Sequence, residues 1–522
     1  MKLTGNVEPR TLIDELLADQ QQLTAVDRFA SARALIAPAT RYRELIPSAQ
    51  PQPGQQYAFE VDLDKCTGCK ACVSACHSLN GLDDGETWRD VGLLFSSDWK
   101  QPYQQTITTA CHHCVDPGCL NGCPVLAYDK DPVTGIVRHL DDQCIGCQYC
   151  VMKCPYEVPK YSAKRGIVRK CDMCVNRLAV GEAPACAQAC PSEAIRITIV
   201  DQSALVAAAE SGNFLPGSPS PKITVPSTRY KTSRAFPRQL LPGDHASLTP
   251  SDPHLPLVFM LVLTQLSVGA SVAAVFTPSR PLGLLALTSL LLALAVAGLH
   301  LGRPLQAWRA FLGWRRSWFS REVIAFGAYL PLIALSLTMS QTGNFQARIL
   351  AALVGLAGVA CSAMIYADTG REFWSPGECF ARFFGTTILL GASARLLFVS
   401  SDAVFAFWLC VRVAAMMIKL GIERRIFQHL VDENTPVLSS LNQTARLLAG
   451  QLGFITRSRV GLAIIGGGLL PGLMLMARLD AKLPAYPIAA IALALTLSGE
   501  CLERYLFFRA VVPLKMPGGP AA

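Results

Sequence analysis

The sequence predicts two structural classes in one chain: a cysteine-rich α+β half, followed by an all-α half of about eight transmembrane helices. Sixteen of the 20 cysteines lie between Cys66 and Cys190, whereas long apolar stretches recur only in the second half. A chain of 522 residues is longer than a typical single domain. Its mean hydropathy is +0.32 although its first half is polar. We therefore expect the two halves to fold in different solvents.

The 16 cysteines of the first half form four groups of four. The groups read CTGCKACVSAC, CHHCVDPGCLNGCP, CIGCQYCVMKCP and CDMCVNRLAVGEAPACAQACP. The first and third have the spacing of the bacterial ferredoxin motif, and the other two have a longer gap before the third cysteine. Structural zinc sites usually combine two separated CxxC pairs, so zinc fits this spacing poorly. The sequence therefore predicts four [4Fe-4S] clusters in an α+β double ferredoxin-like four-cluster domain, followed by the all-α eight-helix transmembrane domain.

The ferredoxin motif also predicts how the cysteines are shared. Three cysteines from a tight loop bind one cluster, and the fourth binds the neighbouring cluster. If the outer two groups form one module and the inner two another, four ligand sets result. The sets are Cys66, Cys69, Cys72 and Cys190; Cys171, Cys174, Cys186 and Cys76; Cys111, Cys114, Cys119 and Cys154; and Cys144, Cys147, Cys150 and Cys123. Four neighbouring clusters are typical of electron transfer.

The order of segments along the chain predicts five regions. Residues 1–56 have leucines at helical spacing and are predicted to form a helical extension, without a recognisable export signal. The cluster domain covers 57–200, with candidate strands at 57–63, 136–139, 161–168 and 194–199. A linker rich in Pro, Ser and Gly covers 201–253. The transmembrane anchor domain covers 254–510, and a C-terminal tail covers 511–522.

Eight apolar stretches predict the transmembrane helices. They cover 255–276, 281–301, 323–339, 349–366, 383–399, 403–419, 460–477 and 486–501. Several are shorter than the ~20 residues that cross an average bilayer, but they alternate with charged loops. Arg395 and Arg412 interrupt the fifth and sixth stretches, and together with Glu500 they are candidates for mutual ion pairs or for a cavity lining.

The few histidines of the anchor half bear on its cofactors. Only His254, His300 and His429 lie there, at helix ends or in a loop. Membrane b-type haem is held by histidines within helices, so we expect no haem. Electrons would then come directly from a quinol, whose oxidation releases two protons.

A quinol site is predicted where the second apolar stretch ends and the third begins. His300 and Glu322 meet at this membrane edge and are suitable proton acceptors. Arg303, in the connecting loop, is the third candidate for binding the quinol. Alternatively, His300 and Glu322 only cap helices, while the arginines of the loop set the membrane topology.

Two motif sets together resemble one known family. Through its four cysteine groups, the first half resembles the iron-sulfur subunit of dimethyl sulfoxide reductase-type molybdoenzymes. Through HLGRPLQAWRAFLGWRRSWFSRE, the second half resembles the membrane anchor of the same complexes. The two subunits are usually separate chains, and here they look fused.

The resemblance implies a function and a partner. In this family menaquinol is oxidised at a histidine and a glutamate that match His300 and Glu322. The cluster of Cys144, Cys147, Cys150 and Cys123 would lie nearest the membrane. The cluster of Cys66, Cys69, Cys72 and Cys190 would lie nearest a molybdopterin cofactor in a separate catalytic subunit. The chain would then be an electron-transfer and anchor subunit that contacts lipid and the quinone pool.

Other functions remain open at this point. The chain could serve another oxidoreductase, acting on nitrate, formate or sulfur compounds, and could carry electrons towards quinone. It could also be a purely structural anchor whose clusters stabilise the fold. A net charge of +9 is compatible with nucleic-acid binding, but no basic stripe with interleaved aromatic residues supports a nucleic-acid partner.

The distribution of Lys and Arg predicts the membrane orientation. On the side opposite the cluster domain, the predicted loops carry only Arg280, Arg348, Arg478 and Lys482, whereas the loops on the cluster side are rich in Lys and Arg. Positive charge favours the cytoplasmic side. We therefore expect a multi-pass protein of the inner (plasma) membrane with its clusters facing the cytoplasm, although the family resemblance favours the periplasmic face.

Overall fold

The computed structural model describes residues 11–13, 44–98, 100–237, 239–245, 247–338, 343–399, 401–431, 439–479 and 485–519. The helices predicted in the N-terminal extension fall almost entirely outside the described residues. Both predicted halves, the linker and most of the tail lie within them.

The first half is built from short strands and short helices. In chain order they are β1 (Gln55–Asp62), α1 (Ala71–Asn80), β2 (Asp90–Ser96), β3 (Gln104–Thr109), α2 (Gly118–Gly122), β4 (Tyr128–Lys130), β5 (Val137–His139), α3 (Tyr149–Lys153), β6 (Lys160–Ser162), β7 (Ile167–Arg169), α4 (Val175–Ala179), α5 (Ala185–Gln188), β8 (Ile195–Asp201), α6 (Gln202–Glu210), β9 (Arg229–Lys231) and β10 (Leu240–Pro242). The cysteine groups lie in the loops before the helices and at the helix ends.

The strands form small sheets that join distant parts of the chain. Strand β1 pairs antiparallel with β8 and parallel with β9. Strand β2 pairs antiparallel with both β3 and β10, while β4–β5 and β6–β7 are two-stranded hairpins. The linker thus adds one strand to each of the two larger sheets, and it belongs structurally to the cluster domain.

Three of the four predicted strands coincide with β1, β5 and β8. The prediction of one strand over 161–168 was wrong, because the chain turns there and forms the hairpin β6–β7. Gly166 has a φ of +67°, a conformation that glycine adopts at little cost. The sheet β10–β2–β3 was not predicted.

The second half consists of long helices. They are α7 (Leu255–Phe276), α8 (Arg280–Gly298), α9 (Trp318–Thr338), α10 (Gly343–Ala367), α11 (Pro376–Leu396), α12 (Asp402–Arg425), the short α13 (Gln428–Val431) and α14 (Ser440–Ala449), α15 (Gly453–Ile464), α16 (Leu470–Leu479) and α17 (Ala485–Arg509). Among the described residues, seven helical spans are long and apolar enough to cross a membrane, and one of them combines α15 with α16. Helix α11 has 21 residues but carries more charge.

The two ends of the anchor domain show that α11 also crosses the membrane. Ser251, just before α7, donates its backbone N–H to the Arg509 carbonyl at 3.0 Å and its hydroxyl to the Val511 carbonyl at 2.8 Å. The start of the first membrane-spanning helix and the end of the last one therefore lie on the same side of the membrane. This requires an even number of crossings, and the predicted number of eight satisfies it.

A π-helical turn joins α15 to α16. It covers Ile465–Leu469, within the sequence IGGGL. Such turns widen the backbone and leave carbonyls free for other donors. Here the Gly466 carbonyl accepts a hydrogen bond from Arg412.

The charged residues predicted to pair with one another have other partners. Arg395 donates to the Thr277 hydroxyl at 2.6 Å, and Arg412 donates to the hydroxyls of Ser393 and Thr496, both at 2.9 Å. Glu500 instead accepts from Lys419 and forms an ion pair with Arg459 at 2.8 Å. Mutual pairing of Arg395, Arg412 and Glu500 was therefore a wrong prediction, since the three lie at different depths in the bundle.

The buried ion pairs of Glu500 predict a large effect on stability. Glu500 and its partners Lys419 and Arg459 are at most 1% exposed. Removing one partner of a buried ion pair typically costs about 3–5 kcal/mol, because a charge is left uncompensated. We expect Glu500→Gln to lower the free energy of unfolding by this order, measured by denaturant titration in detergent micelles.

A matched control for Glu500→Gln is Asp402→Asn. Asp402 pairs with Arg478 at 3.3 Å, but its side chain is 86% exposed. Exposed pairs contribute little to stability because water screens them. Equal destabilisation by Glu500→Gln and Asp402→Asn would contradict the prediction.

Candidate functional site

One set of four cysteines lines a cavity inside the cluster domain. The lining includes Cys111, Cys114, Cys119 and Cys154, and the cavity measures ≈ 360 Å³. Cys154 reaches it because α3 packs closely against α2: a Cβ atom on Gly118 would lie 3.0 Å from the Lys153 carbonyl. The structure thus brings the fourth cysteine of one group to the first three of another.

A second cavity has the same kind of lining. It measures ≈ 290 Å³ and is bordered by Cys66, Cys69, Cys72 and Cys190. These residues come from the first and last groups, which the pairing of β1 with β8 brings together.

The remaining cysteines form two further sets. Cys150 and Cys147 lie near Cys144 and Cys123. Cys76 lies near Cys174 and Cys186, and Cys171 lies near Cys76 and Cys186. All 16 cysteines of the first half are therefore grouped in space as the ferredoxin motif predicts. Their role as ligands remains a prediction.

Backbone conformation and hydrogen bonds adapt these loops to anionic sulfur. Gly146, between Cys144 and Cys147, has a φ of +69°, and a Cβ atom there would lie 2.4 Å from the Gly166 carbonyl. Its backbone N–H points at the Cys144 sulfur at 3.4 Å. Backbone N–H donors of this kind stabilise negative charge on sulfur.

Burial affects how the cysteine thiols ionise. Burial raises the pKa of Cys76 to about 12 and that of Cys154 to about 11. Without metal these thiols are neutral at pH 7. Cluster binding needs thiolates, so it releases protons and offsets the cost of burying charge. Four cysteines around one cavity fit a [4Fe-4S] cluster in donor type and number.

His300 lies directly beneath the third cysteine group. It follows α8, it is buried, and the Cys147 carbonyl lies next to its imidazole. Its ring is 5.3 Å from that of His254 in a T-shaped arrangement. Burial, and then the neighbouring His254, lower the pKa of His300 to about 4, so the ring is neutral at pH 7. Its Nε2 atom has no partner among the described residues.

Glu322 also lies near the third cysteine group. It is the fifth residue of α9, 5% exposed, and accepts a hydrogen bond from the Ser362 hydroxyl on α10. Tyr149, between Cys147 and Cys150, lies near Glu322. The Tyr149 hydroxyl is buried and has no partner within the described part of the chain. His300 therefore lies next to Cys147, and Glu322 lies near Tyr149 in the same loop.

Arg303 contacts the cluster domain. Its guanidinium donates to the Asp141 carbonyl at 2.8 Å, and its backbone N–H donates to the Ile145 carbonyl at 3.1 Å. Just before it, a Cβ atom on Gly302 would lie 2.1 Å from the Gly166 carbonyl. The segment holds the third cysteine group against the membrane domain, and these contacts give Arg303 a docking role.

Sequence reasoning missed several residues of this region. Tyr149 lies within a recognised motif and could have been found from its position there. His254 and Ser362 carried no local signal, because they reach the site only through helix packing. A cavity also opens between the two halves, lined by residues that include Gln148, Met152, His254, Arg371 and Phe508.

Comparisons with known protein families agree with the division of the chain. The family described as DMSO reductase anchor subunit matches residues 251–509. A 4Fe-4S dicluster domain family matches residues 103–200, and a 4Fe-4S binding domain family matches residues 57–78. The chain is thus an iron-sulfur protein joined to a multi-pass membrane anchor.

Several individual relatives match a little over a quarter of this chain. The B subunit of anaerobic dimethyl sulfoxide reductase from Haemophilus influenzae is 36% identical over 157 residues, which are 28% of this chain and 76% of the relative. The Escherichia coli K12 protein of the same name is 36% identical over 155 residues, which are 28% of this chain and 75% of the relative. The formate dehydrogenase-O iron-sulfur subunit of Escherichia coli K12 is 33% identical over 169 residues, covering 29% and 56%.

The matches to the 4Fe-4S domain families and to the anchor family follow one another in one polypeptide, and the chain also matches the B subunit of dimethyl sulfoxide reductase. Together with the four cysteine sets and the eight membrane-crossing helices, they place this chain in the family of dimethyl sulfoxide reductase-type iron-sulfur and anchor subunits, with both subunits fused.

Proposed function

We propose that this chain oxidises a quinol at the membrane edge and passes the electrons through four [4Fe-4S] clusters to a separate catalytic subunit. The observation that supports this most strongly is the position of His300 and Glu322. Both lie near the loop that carries Cys147 and Tyr149. A quinol bound between them would lie next to the first electron carrier.

The chemistry assigns distinct tasks to these side chains. Oxidation of a quinol to a quinone releases two electrons and two protons. The neutral His300 ring has a free nitrogen that can accept a hydrogen bond from one quinol hydroxyl. Glu322, held by Ser362, can accept a proton from the other. The bound clusters supply one-electron carriers.

Exposure of the cysteines supports the order of the electron path. Cys69 is exposed and Cys66 is partly exposed, whereas Cys144, Cys147 and Cys150 are buried. The first set therefore lies at the protein surface, where a partner can approach, and the last lies against the anchor. From the family relationship we propose a molybdopterin-containing catalytic subunit of the dimethyl sulfoxide reductase type as that partner.

The proposal is tested by reduction of the full chain, loaded with clusters, in detergent or liposomes. We expect menadiol, a soluble menaquinol analogue, to bleach the visible iron-sulfur absorbance rapidly under anaerobic conditions. Dithionite serves as the control, because it reduces clusters without a quinol site. If dithionite bleaches the absorbance and menadiol does not, the quinol-oxidising role is refuted.

A second function has one specific observation in its favour. The formate dehydrogenase-O iron-sulfur subunit and the hydrogenase-2 operon protein HybA also match this chain. HybA of Escherichia coli O157:H7 is 38% identical over 171 residues, which are 28% of this chain and 52% of the relative. Electrons would then run towards quinone. Cluster potentials above that of the menaquinone couple in a redox titration would favour quinol oxidation, whereas potentials well below it would favour quinone reduction.

The membrane face is a separate prediction. We propose that the cluster domain faces the cytoplasm, because Lys and Arg are concentrated in the loops on its side. In right-side-out vesicles we expect added protease to leave the cluster domain intact. Digestion from outside would place it on the periplasmic face, as the family resemblance implies.

A further inference from the structure

Arg89 is a buried cation without an acidic partner. It is 2% exposed and donates one hydrogen bond to the Thr108 hydroxyl at 3.1 Å. Its guanidinium carbon lies 4.6 Å from the centre of the Phe59 ring. Nε and Nη2 have no partner, and no carboxylate pairs with Arg89, among the described residues. An isolated charge in such a position is costly.

Lys170 is a second cation of the same kind. It is 3% exposed and donates to the carbonyls of Val137 and Cys171 and, at 3.7 Å, to the Cys111 sulfur. Asp172 lies nearby, but it accepts the Cys174 backbone N–H at 2.9 Å. No ion pair joins Asp172 to Lys170 in the described part of the chain.

Each cation lies where two cysteine sets meet. Arg89 is near Cys72 of the first set and near Cys76, Cys171 and Cys186 of the second. Lys170 is near Cys171 of the second set and near Cys111 and Cys119 of the third. The sets are numbered in the order given above, with the Cys66 set first and the Cys144 set fourth. Arg89 thus lies between the first and second sets, and Lys170 lies between the second and third.

The positions of the two cations affect the charge balance of the clusters. A cluster held by four thiolates is an anion, and it provides the negative charge that each buried cation lacks. A reduced cluster carries one more negative charge, so a nearby cation favours reduction. Arginine and a lysine bonded to sulfur and carbonyls keep their charge, so the effect is that of a fixed charge.

We infer that Arg89 and Lys170 are counter-charges for the clusters on either side of them. Arg89 raises the reduction potentials of the first and second clusters, and Lys170 raises those of the second and third. This rests on the proposed four-cluster chain. Net charge is a main determinant of iron-sulfur potentials. A cation shared by two neighbouring clusters raises both potentials together, because it favours an electron on either of them.

The test is an EPR-monitored redox titration of the full chain with its clusters. In Lys170→Met we expect the midpoints of the second and third clusters to fall, and in Arg89→Met those of the first and second. For each affected cluster we expect the equilibrium constant for reduction to fall about tenfold, which lowers the midpoint by about 59 mV for a one-electron couple. One midpoint should fall in both variants.

The matched control is the double variant Glu86→Gln/Arg169→Gln. Arg169 precedes Lys170 and is also buried, but its charge is compensated by Glu86 at 3.1 Å. Removing both leaves the net charge unchanged, so the four midpoints should stay near those of the parent. Unchanged midpoints in Lys170→Met and Arg89→Met at full iron content would overturn the inference, as would a uniform fall of all four.

Lys170 variants that do not bind clusters are interpreted by comparison with Lys170→Arg, which keeps the positive charge. If Lys170→Met and Lys170→Gln lose iron while Lys170→Arg retains it, a positive charge is required there and the inference is supported. If Lys170→Arg also loses iron, Lys170 has only a packing role and the inference fails. Mediated titration needs no quinol, so failure of quinol oxidation and failure of this inference are distinguishable.

Discussion

Replacing Cys154 with serine should abolish the cluster assigned to Cys111, Cys114 and Cys119, and leave the cluster assigned to Cys144, Cys147 and Cys150 in place. Cys154 follows the latter group in sequence, but it lines the cavity of the former. We expect the iron content to fall from four clusters towards three, with one EPR signal missing.

The reciprocal variant makes the Cys154 prediction sharper. Cys123→Ser should remove a different signal, because Cys123 lies near Cys144 and Cys147. Cys379→Ser is the control: this cysteine is buried in the anchor, and its sulfur donates to the Trp374 carbonyl at 3.3 Å, so all clusters should remain. The same signal missing from Cys154→Ser and Cys123→Ser would contradict the assignment.

Glu322→Gln should slow cluster reduction by menadiol by about 10²–10⁴-fold, the usual contribution of a positioned proton acceptor. The amide keeps the shape of the side chain and its contact with Ser362, but it cannot take up the proton. Stopped-flow absorbance would measure the rate, and mediated titration would show whether the clusters of the variant can still be reduced without quinol.

Glu378→Gln is the matched control for Glu322→Gln. Glu378 likewise lies near the start of a membrane helix, but it pairs with Arg382 at 3.5 Å and its side chain is 27% exposed. We expect the Glu378 variant to react with menadiol at nearly the parent rate. A parent-like rate in Glu322→Gln would remove Glu322 from the proposed quinol site.

The sequence predicted features that depend on local spacing. Cysteine spacing predicted sets that the structure brings together, and apolar length predicted eight helices. Long-range features were missed, because their partners lie far apart in the chain. Strand β10 joins β2 across more than a hundred residues, and Glu500 finds Lys419 on another helix. Arg89 lies outside every motif, so only the folded chain shows its position between cysteine sets.

The C-terminal tail returns to the cluster domain after the last membrane helix. Leu93 on β2 donates its backbone N–H to the Gly518 carbonyl at 3.2 Å, and Lys515 pairs with Asp244 of the linker at 2.5 Å. The cluster domain is therefore tethered to the anchor at two points and is pressed against it at Gly302. A domain held in this way cannot swing between a docked and a released position. Electron transfer between the two halves then occurs over a fixed distance, so its rate should be insensitive to solvent viscosity.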